Sequence, residues 1–151
     1  MSDHKVLIIE SRANGDISYG ALCPVLDLLK QMDMCYEKVE TRNVLSIPCA
    51  AAISLEFVDY IGAIALGCVI DELDYNALIS VQEAYRGMGD LSMQYYMPVG
   101  IGICHAKNLD EANRKVGAIY LDAASSCIQL MKLRSQGNSA TSNNFISRYN
   151  N

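Results

Sequence analysis

The run Ile61-Gly62-Ala63-Ile64-Ala65-Leu66-Gly67-Cys68-Val69-Ile70 contains no polar side chain. A strand with one wet face alternates apolar and polar residues. A strand without alternation must be covered on both faces, as in the middle of a parallel sheet. Open parallel sheets carry their chemistry just beyond the carboxyl ends of the strands. Here that position reads Asp71-Glu72-Leu73-Asp74-Tyr75-Asn76, which is acidic and holds no obvious catalytic group.

The flanking segments fit such a sheet. Lys5 to Glu10 (KVLIIE) is short, β-branched and apolar, and predicts a first strand. The loop Ser11 to Asp16 follows, with Ser18 as the expected N-cap of a helix carrying Leu22, Val25, Leu26, Leu29 and Met32 at helical spacing. Pro24 inside that helix removes one backbone donor and predicts a kink. Cys35 to Thr41 alternates and predicts a strand nearer the edge; Arg42 to Ile47 reads as loop. Pro48 suits the first turn of a short helix to about Val58. A third helix is expected over Asp74 to Met93, with Ala77, Leu78, Val81, Ala84, Tyr85 and Met88 on its buried side and Gly87 and Gly89 weakening it. Glu83 and Arg86, one turn apart on it, predict a surface ion pair. Val99 to Cys104 (VGIGIC) predicts a fourth strand, buried on both faces.

Asn108 is a candidate N-cap, followed by Asp110 and Glu111 where a helix dipole favours acids. The helix it opens runs to about Leu133, with Ala112, Val116, Tyr120, Ala123, Cys127, Leu130 and Met131 at three- and four-residue steps. After Arg134 the composition turns to Ser and Asn, so residues 135–151 are expected to be a mobile polar tail behind a folded domain of residues 1–134. The order βαβαβαβα with right-handed crossovers gives an α/β fold: a flavodoxin-like three-layer α/β/α sandwich on a four-stranded parallel sheet.

A chain of 151 residues is long enough for one domain with a sizeable core. Its net charge of -5 gives no reason to expect nucleic acid or an anionic membrane as partner. None of the six cysteines forms a CxxC pair, and Cys104-His105 are adjacent and diverge, so buried free thiols in a reducing compartment are expected rather than a disulfide framework or a metal site. The amino terminus has no charged region leading into an apolar core, and no apolar stretch reaches the roughly 18 residues of a spanning helix. A cytoplasmic location is the expectation.

Several segments, in order, resemble the lumazine synthase family. Ser11-Arg12-Ala13-Asn14 is similar to its A-R-F-N loop after the first strand, and Asn43 to Pro48 (NVLSIP) stands where it has G-A-F-E-I-P. Ala65 to Ile70 (ALGCVI) is similar to A-L-G-A-V-I, Glu83 to Gly87 (EAYRG) to E-A-A-K-G, and Asp110-Glu111-Ala112 through Gly117 to E-Q-A-x-x-R-A-G. Pro98-Val99 opens the fourth strand as in the family, and the likeness spans roughly residues 5 to 134. It implies condensation of 5-amino-6-(D-ribitylamino)uracil with 3,4-dihydroxy-2-butanone 4-phosphate to 6,7-dimethyl-8-ribityllumazine, the precursor of riboflavin. It also implies no metal or redox cofactor, small-molecule substrates, and a homo-oligomer: a pentamer or a shell of pentamers with sites between subunits.

The resemblance assigns site positions, and several hold other residue types here. Ala13 stands for the family's aromatic after strand one, beside Asn14, and Ile101 for a second aromatic in strand four. Ser46 replaces the carboxylate that contacts the ribityl chain. Main-chain groups of Val44, Leu45, Cys68, Val69 and Ile70 remain able to bind the edges of a ring, because backbone donors survive substitution. The phosphate segment Gly-Ala-Thr is Glu72-Leu73-Asp74, the phosphate arginine corresponds to Lys115, and a frequent lysine is Ile119. Two carboxylates oppose a dianion by on the order of 1 kcal/mol each, and lysine keeps the charge but not the bidentate fork. Bland roles compete: Val69 and Ile70 as core, Glu72 and Asp74 as a solvated helix start.

The family's proton-transfer histidine aligns with Asn76, which does not titrate. The two histidines are His4, in the amino-terminal tail, and His105, which with Lys107 follows strand four at the edge where sites form. His105 is the candidate substitute, against the alternative of a surface histidine without a role. Two functions stay open: an enzyme relying mainly on substrate positioning, and a catalytically weak or inactive homologue acting as an oligomeric scaffold or ligand-binding protein.

Overall fold

A computed structural model describes the backbone of residues 4–149 and the side chains of residues 4–137. Strand β1 is Lys5–Ser11, helix α1 Gly15–Gln31, β2 Cys35–Thr41, α2 Ile47–Leu55, β3 Tyr60–Ile70, α3 Ala77–Tyr95, β4 Val99–Ala106 and α4 Leu109–Tyr149. Short 3-10 turns occupy Val44–Ser46 and Asp71–Leu73. All pairings are parallel, in the order β2-β1-β3-β4. This is the expected three-layer flavodoxin-like architecture, with β2 at an edge.

The period-2 geometry of the strands sorts their side chains between two cores. Val6, Ile8, Ile64, Leu66, Cys68 and Ile70 point toward α1 and α4. Leu7, Ile9, Ala63, Ala65 and Val69 point toward α2 and α3. Glycines let the layers close. A Cβ on Gly100 would lie 1.8 Å from the Ala123 carbonyl oxygen, so α4 rests directly on the backbone of β4.

Several boundaries differ from the sequence reading. The residue before α1 is Asn14, not Ser18. Asn14 adopts the left-handed conformation at φ 59°, which its short polar side chain tolerates. Ser18 is buried one turn inside the helix, its hydroxyl donating to the Gly15 carbonyl at 3.2 Å. The α1 helix runs on through Pro24. Helix α2 stops at Leu55, short of Val58, with Pro48 in its first turn as expected. Helix α3 starts at Ala77 rather than Asp74, because Asp74 is extended and its carboxylate accepts the Asn76 backbone N–H at 2.9 Å.

Leu78, Tyr85 and Leu130, expected on buried helix faces, are exposed. The Glu83–Arg86 pair forms on the surface, with Asp90 on the other side of the guanidinium. Asn108 accepts the Glu111 N–H at 3.0 Å, as a cap should. Helix α4 continues to Tyr149 instead of ending near Leu133. Apolar periodicity reports burial, and a helix that leaves the sheet loses that signal while keeping its backbone hydrogen bonds. The expected mobility of residues 135–151 falls largely on side chains outside the described ones. Among the described residues, no helix is long and apolar enough to cross a membrane.

Candidate functional site

The chain runs from β1 outward to β2, then back across to β3 and β4, so the strand order reverses between β1 and β3. A crevice opens beyond the carboxyl ends at such a switch point. Here it has a definite shape. The ladder between β1 and β3 ends at Glu10 and Leu66, whereas β3 continues with β4 as far as Ile70 and Ala106. Gly67 to Ile70 therefore extend past their β1 neighbour, with one backbone edge turned toward the loop after β1.

That loop is tied across the gap. The Asn14 side-chain amide donates to the Cys68 carbonyl at 3.0 Å. The Arg12 N–H donates to the Thr41 carbonyl at 2.8 Å, and the Thr41 hydroxyl to the Asn43 carbonyl at 2.8 Å. Asn43 accepts from the Ser46 N–H at 3.1 Å and the Ser46 hydroxyl at 3.0 Å, which holds the Val44–Ser46 turn. The buried Val44 then seats on β3: a Cβ at Gly67 would lie 2.7 Å from its Cγ1. Ala13, Asn14, Val44, Leu45, Ser46 and the Cys68–Ile70 segment are thus brought together.

Their roles differ from one another. Leu45 is 54 % exposed and Ser46 is exposed, so their side chains are accessible. Cys68, Val69 and Ile70 are buried, so their side chains are closed to a ligand, and the Cys68 carbonyl already serves Asn14. Cys68 lies beside Cys104 in register, and the hydrogen bond between the thiols together with burial pushes the Cys68 thiol up, leaving it unreactive at neutral pH.

The loops after β3 and β4 form the other half of the rim. The Glu72 N–H donates to the Lys107 carbonyl at 3.3 Å. Glu72, Leu73 and Asp74 are exposed beside this link, as is the side chain of Asn76. Lys115 pairs with Glu111, one helical turn earlier. Glu111 also accepts the Lys107 N–H at 2.6 Å. Lys115 and that N–H hold the Glu111 carboxyl down at about 2. The Lys115 ammonium is therefore already engaged by Glu111, with Lys107 beside the same carboxylate. His105 meets Asp71, Nε2 to Oδ1 at 2.6 Å.

Ile101 is not part of either group. It pairs with Ala65 in the middle of the sheet and packs toward α3, and its carbonyl accepts from the Tyr85 hydroxyl at 3.5 Å. In β4, the register places it well before the strand's exit at Ala106.

A family model described as 6,7-dimethyl-8-ribityllumazine synthase matches residues 3–135. The chain belongs to the 6,7-dimethyl-8-ribityllumazine synthase family. It is 32 % identical to the 6,7-dimethyl-8-ribityllumazine synthase of Afipia carboxidovorans over 139 residues, 86 % of this chain and 85 % of the relative. It is 31 % identical to 6,7-dimethyl-8-ribityllumazine synthase 1 of Rhodopseudomonas palustris over 144 residues, covering 89 % and 88 %. The Agrobacterium fabrum synthase is 30 % identical over 144 residues, covering 87 % and 97 %.

Within the lumazine synthase pattern, the loops after β1 and β2 meet at the switch point, and the positions that depart from the pattern fall on both halves of the rim: Ala13 and Ser46 on one, Glu72, Leu73, Asp74 and Asn76 on the other. Sequence reasoning missed three contributors: Asp71, Glu111 and the Asn14–Cys68 tie. The Glu111–Lys115 spacing of four on one helix was a legible signal. Asp71 and His105 lie 34 residues apart and meet only through strand register.

Proposed function

We propose that this chain catalyses the condensation of 5-amino-6-(D-ribitylamino)uracil with 3,4-dihydroxy-2-butanone 4-phosphate to 6,7-dimethyl-8-ribityllumazine in riboflavin biosynthesis. The observation that carries this reading is the backbone slot: β3 outruns β1 at the switch point, and Asn14 bridges the gap to Cys68. The uracil edge binds main-chain groups of Cys68 to Ile70 and of Val44 and Leu45, with Ala13, Asn14 and Ser46 around the ring and ribityl chain. The phosphate lies over Leu73 and Asp74 within reach of Lys115, and His105 replaces the non-titrating Asn76 as the proton carrier. No cofactor enters. Condensation then depends chiefly on holding two reactants together, which by itself supplies large effective molarities.

Ile101 joins the site from an adjoining copy, in a homo-oligomer that is a pentamer or a shell of pentamers in the cytoplasm. Exposed Leu73, Tyr75, Leu78 and Ile79 beside the β3 exit supply apolar surface for that contact. The test is the purified protein with both substrates, read by lumazine fluorescence. Product formation above the uncatalysed rate is expected; a rate equal to the uncatalysed one refutes the enzyme reading.

One observation favours a second reading. Glu72 and Asp74 are exposed where this reading puts the phosphate, and Lys115 is already paired with Glu111. A homologue in that state serves as an oligomeric scaffold or ligand-binding protein. Intact oligomers without turnover are its signature.

A further inference from the structure

We propose that Asp71 is a positioning residue that locks His105 into the Nε2–H tautomer and leaves Nδ1 as its free proton acceptor. The catalytic use of this pair rests on the condensation proposed above. The pairing itself rests on geometry alone.

His105 is the next-to-last residue of β4 and sits in register with Val69 of β3, on the α2–α3 side of the sheet. Asp71 follows the last residue of β3 and opens the Asp71–Leu73 turn. Both residues are thus placed by strand ends rather than by free loops, and the link from the Glu72 N–H to the Lys107 carbonyl holds the two exits together. The 2.6 Å contact joins Asp71 Oδ1 to Nε2. A carboxylate only accepts hydrogen bonds, so Nε2 must carry the hydrogen and Nδ1 the lone pair. The imidazole is 30 % exposed and Asp71 46 %, so the ring borders solvent and substrate instead of being sealed in the core. The remaining charges in these exits and at the start of α4 are Glu72, Asp74, Lys107, Asp110, Glu111, Arg114 and Lys115.

In the condensation, this arrangement moves one proton. Nδ1 takes the proton from the substrate carbon next to the phosphate-bearing carbon. The electron pair of the broken C–H bond forms the new C=C bond, and phosphate leaves with the pair of its C–O bond. The imidazolium, its charge beside the Asp71 carboxylate, then returns the proton to the departing phosphate. Asp71 itself touches no reacting atom.

The chain has two histidines, so nitrogen-15 NMR of imidazole-labelled protein is assigned with a single H4A variant. Above the imidazole titration, His105 of the unmodified protein is expected as the Nε2–H tautomer. In D71A it becomes a mixture, and in D71N the amide oxygen still accepts and preserves it. Turnover is measured in parallel across pH. D71A lowers kcat about tenfold with KM within twofold, H105A lowers it about a hundredfold and removes the limb of the pH profile that follows imidazole titration, and H4A changes neither. An identical tautomer in D71A and the unmodified protein overturns the pairing. So does an unchanged pH profile in D71A when the unmodified protein turns over. Absence of turnover in the unmodified protein overturns the condensation and the catalytic use of the pair together, while the NMR result still decides whether Asp71 sets the tautomer.

Discussion

The two halves of the carboxyl rim differ in what lines their open side. The loops of the half beside β1 and β2 are tied by hydrogen bonds in which the backbone is one partner, Asn14 to the Cys68 carbonyl, Arg12 N–H to the Thr41 carbonyl and Asn43 to the Ser46 N–H, with Arg12, Lys38, Glu10 and Glu40 paired along the two strands. Replacing side chains such as Ala13 and Ser46 leaves that frame standing. The half beside β3 and β4 depends on charged side chains: Asp71 with His105, Glu111 with Lys115, and Glu72 and Asp74 in the open. There, a change of residue type changes the site's sign. A frame tied through main chain tolerates divergence; an anion site of the kind proposed here, made of side chains, does not.

The strongest test reverses that sign. Replacing Glu72, Leu73 and Asp74 with Gly, Ala and Thr removes two carboxylates from the proposed phosphate position, worth about 2 kcal/mol against a dianion. Inorganic phosphate should then bind about 30-fold more tightly by calorimetric titration. Unchanged affinity would mean that the acidic segment does not border the anion. Next in size is N14A. It removes the tie to Cys68 and puts Ala in a left-handed conformation, so a loss of about 1–2 kcal/mol in denaturant unfolding is expected, along with weaker binding of a ribityl-flavin analogue. Full retention of both would break the idea that backbone geometry carries the ring half.

N43A should cost about 1 kcal/mol by releasing the Ser46 N–H, measured the same way. The smallest effect belongs to E111Q. It frees Lys115 and should raise phosphate affinity a fewfold. Its pH signature is directional. The folded Glu111 carboxyl lies at about 2, below its ordinary 4.5, so its stabilisation is complete above about pH 4.5 and disappears as pH falls toward 2. The difference in Tm between E111Q and the unmodified protein should therefore shrink over that interval, and a constant difference would assign Glu111 no ionic role.

Much of the fold was legible because burial leaves a periodic trace. The unbroken apolar run became the two-face-covered β3, and the alternating Cys35–Thr41 became edge strand β2. Starts and stops were less legible. Ser18 has the chemistry of a cap but lies inside α1, because the left-handed Asn14 and its bond to β3 start the helix earlier. Asp74 reads as helix from composition, yet its carboxylate is spent on the Asn76 N–H. The site was half legible. Ala13, Asn14, Val44, Leu45 and Ser46 do converge with the Cys68–Ile70 segment, whereas Ile101 sits mid-sheet in its own chain.

From residue order alone came the parallel sheet, the position of its exit loops and the list of residue types that those loops carry, since periodic burial and local turn chemistry act over a few neighbours. Which loop residues touch was decided in three dimensions. The meeting of Asp71 with His105, the claim of Glu111 on Lys115 and Lys107, and the stretch of β3 beyond β1 all follow from how far each strand runs beside its neighbour. Strand register is a long-range packing outcome, because it is set by how whole side-chain layers interlock and has no signature in any short window of sequence.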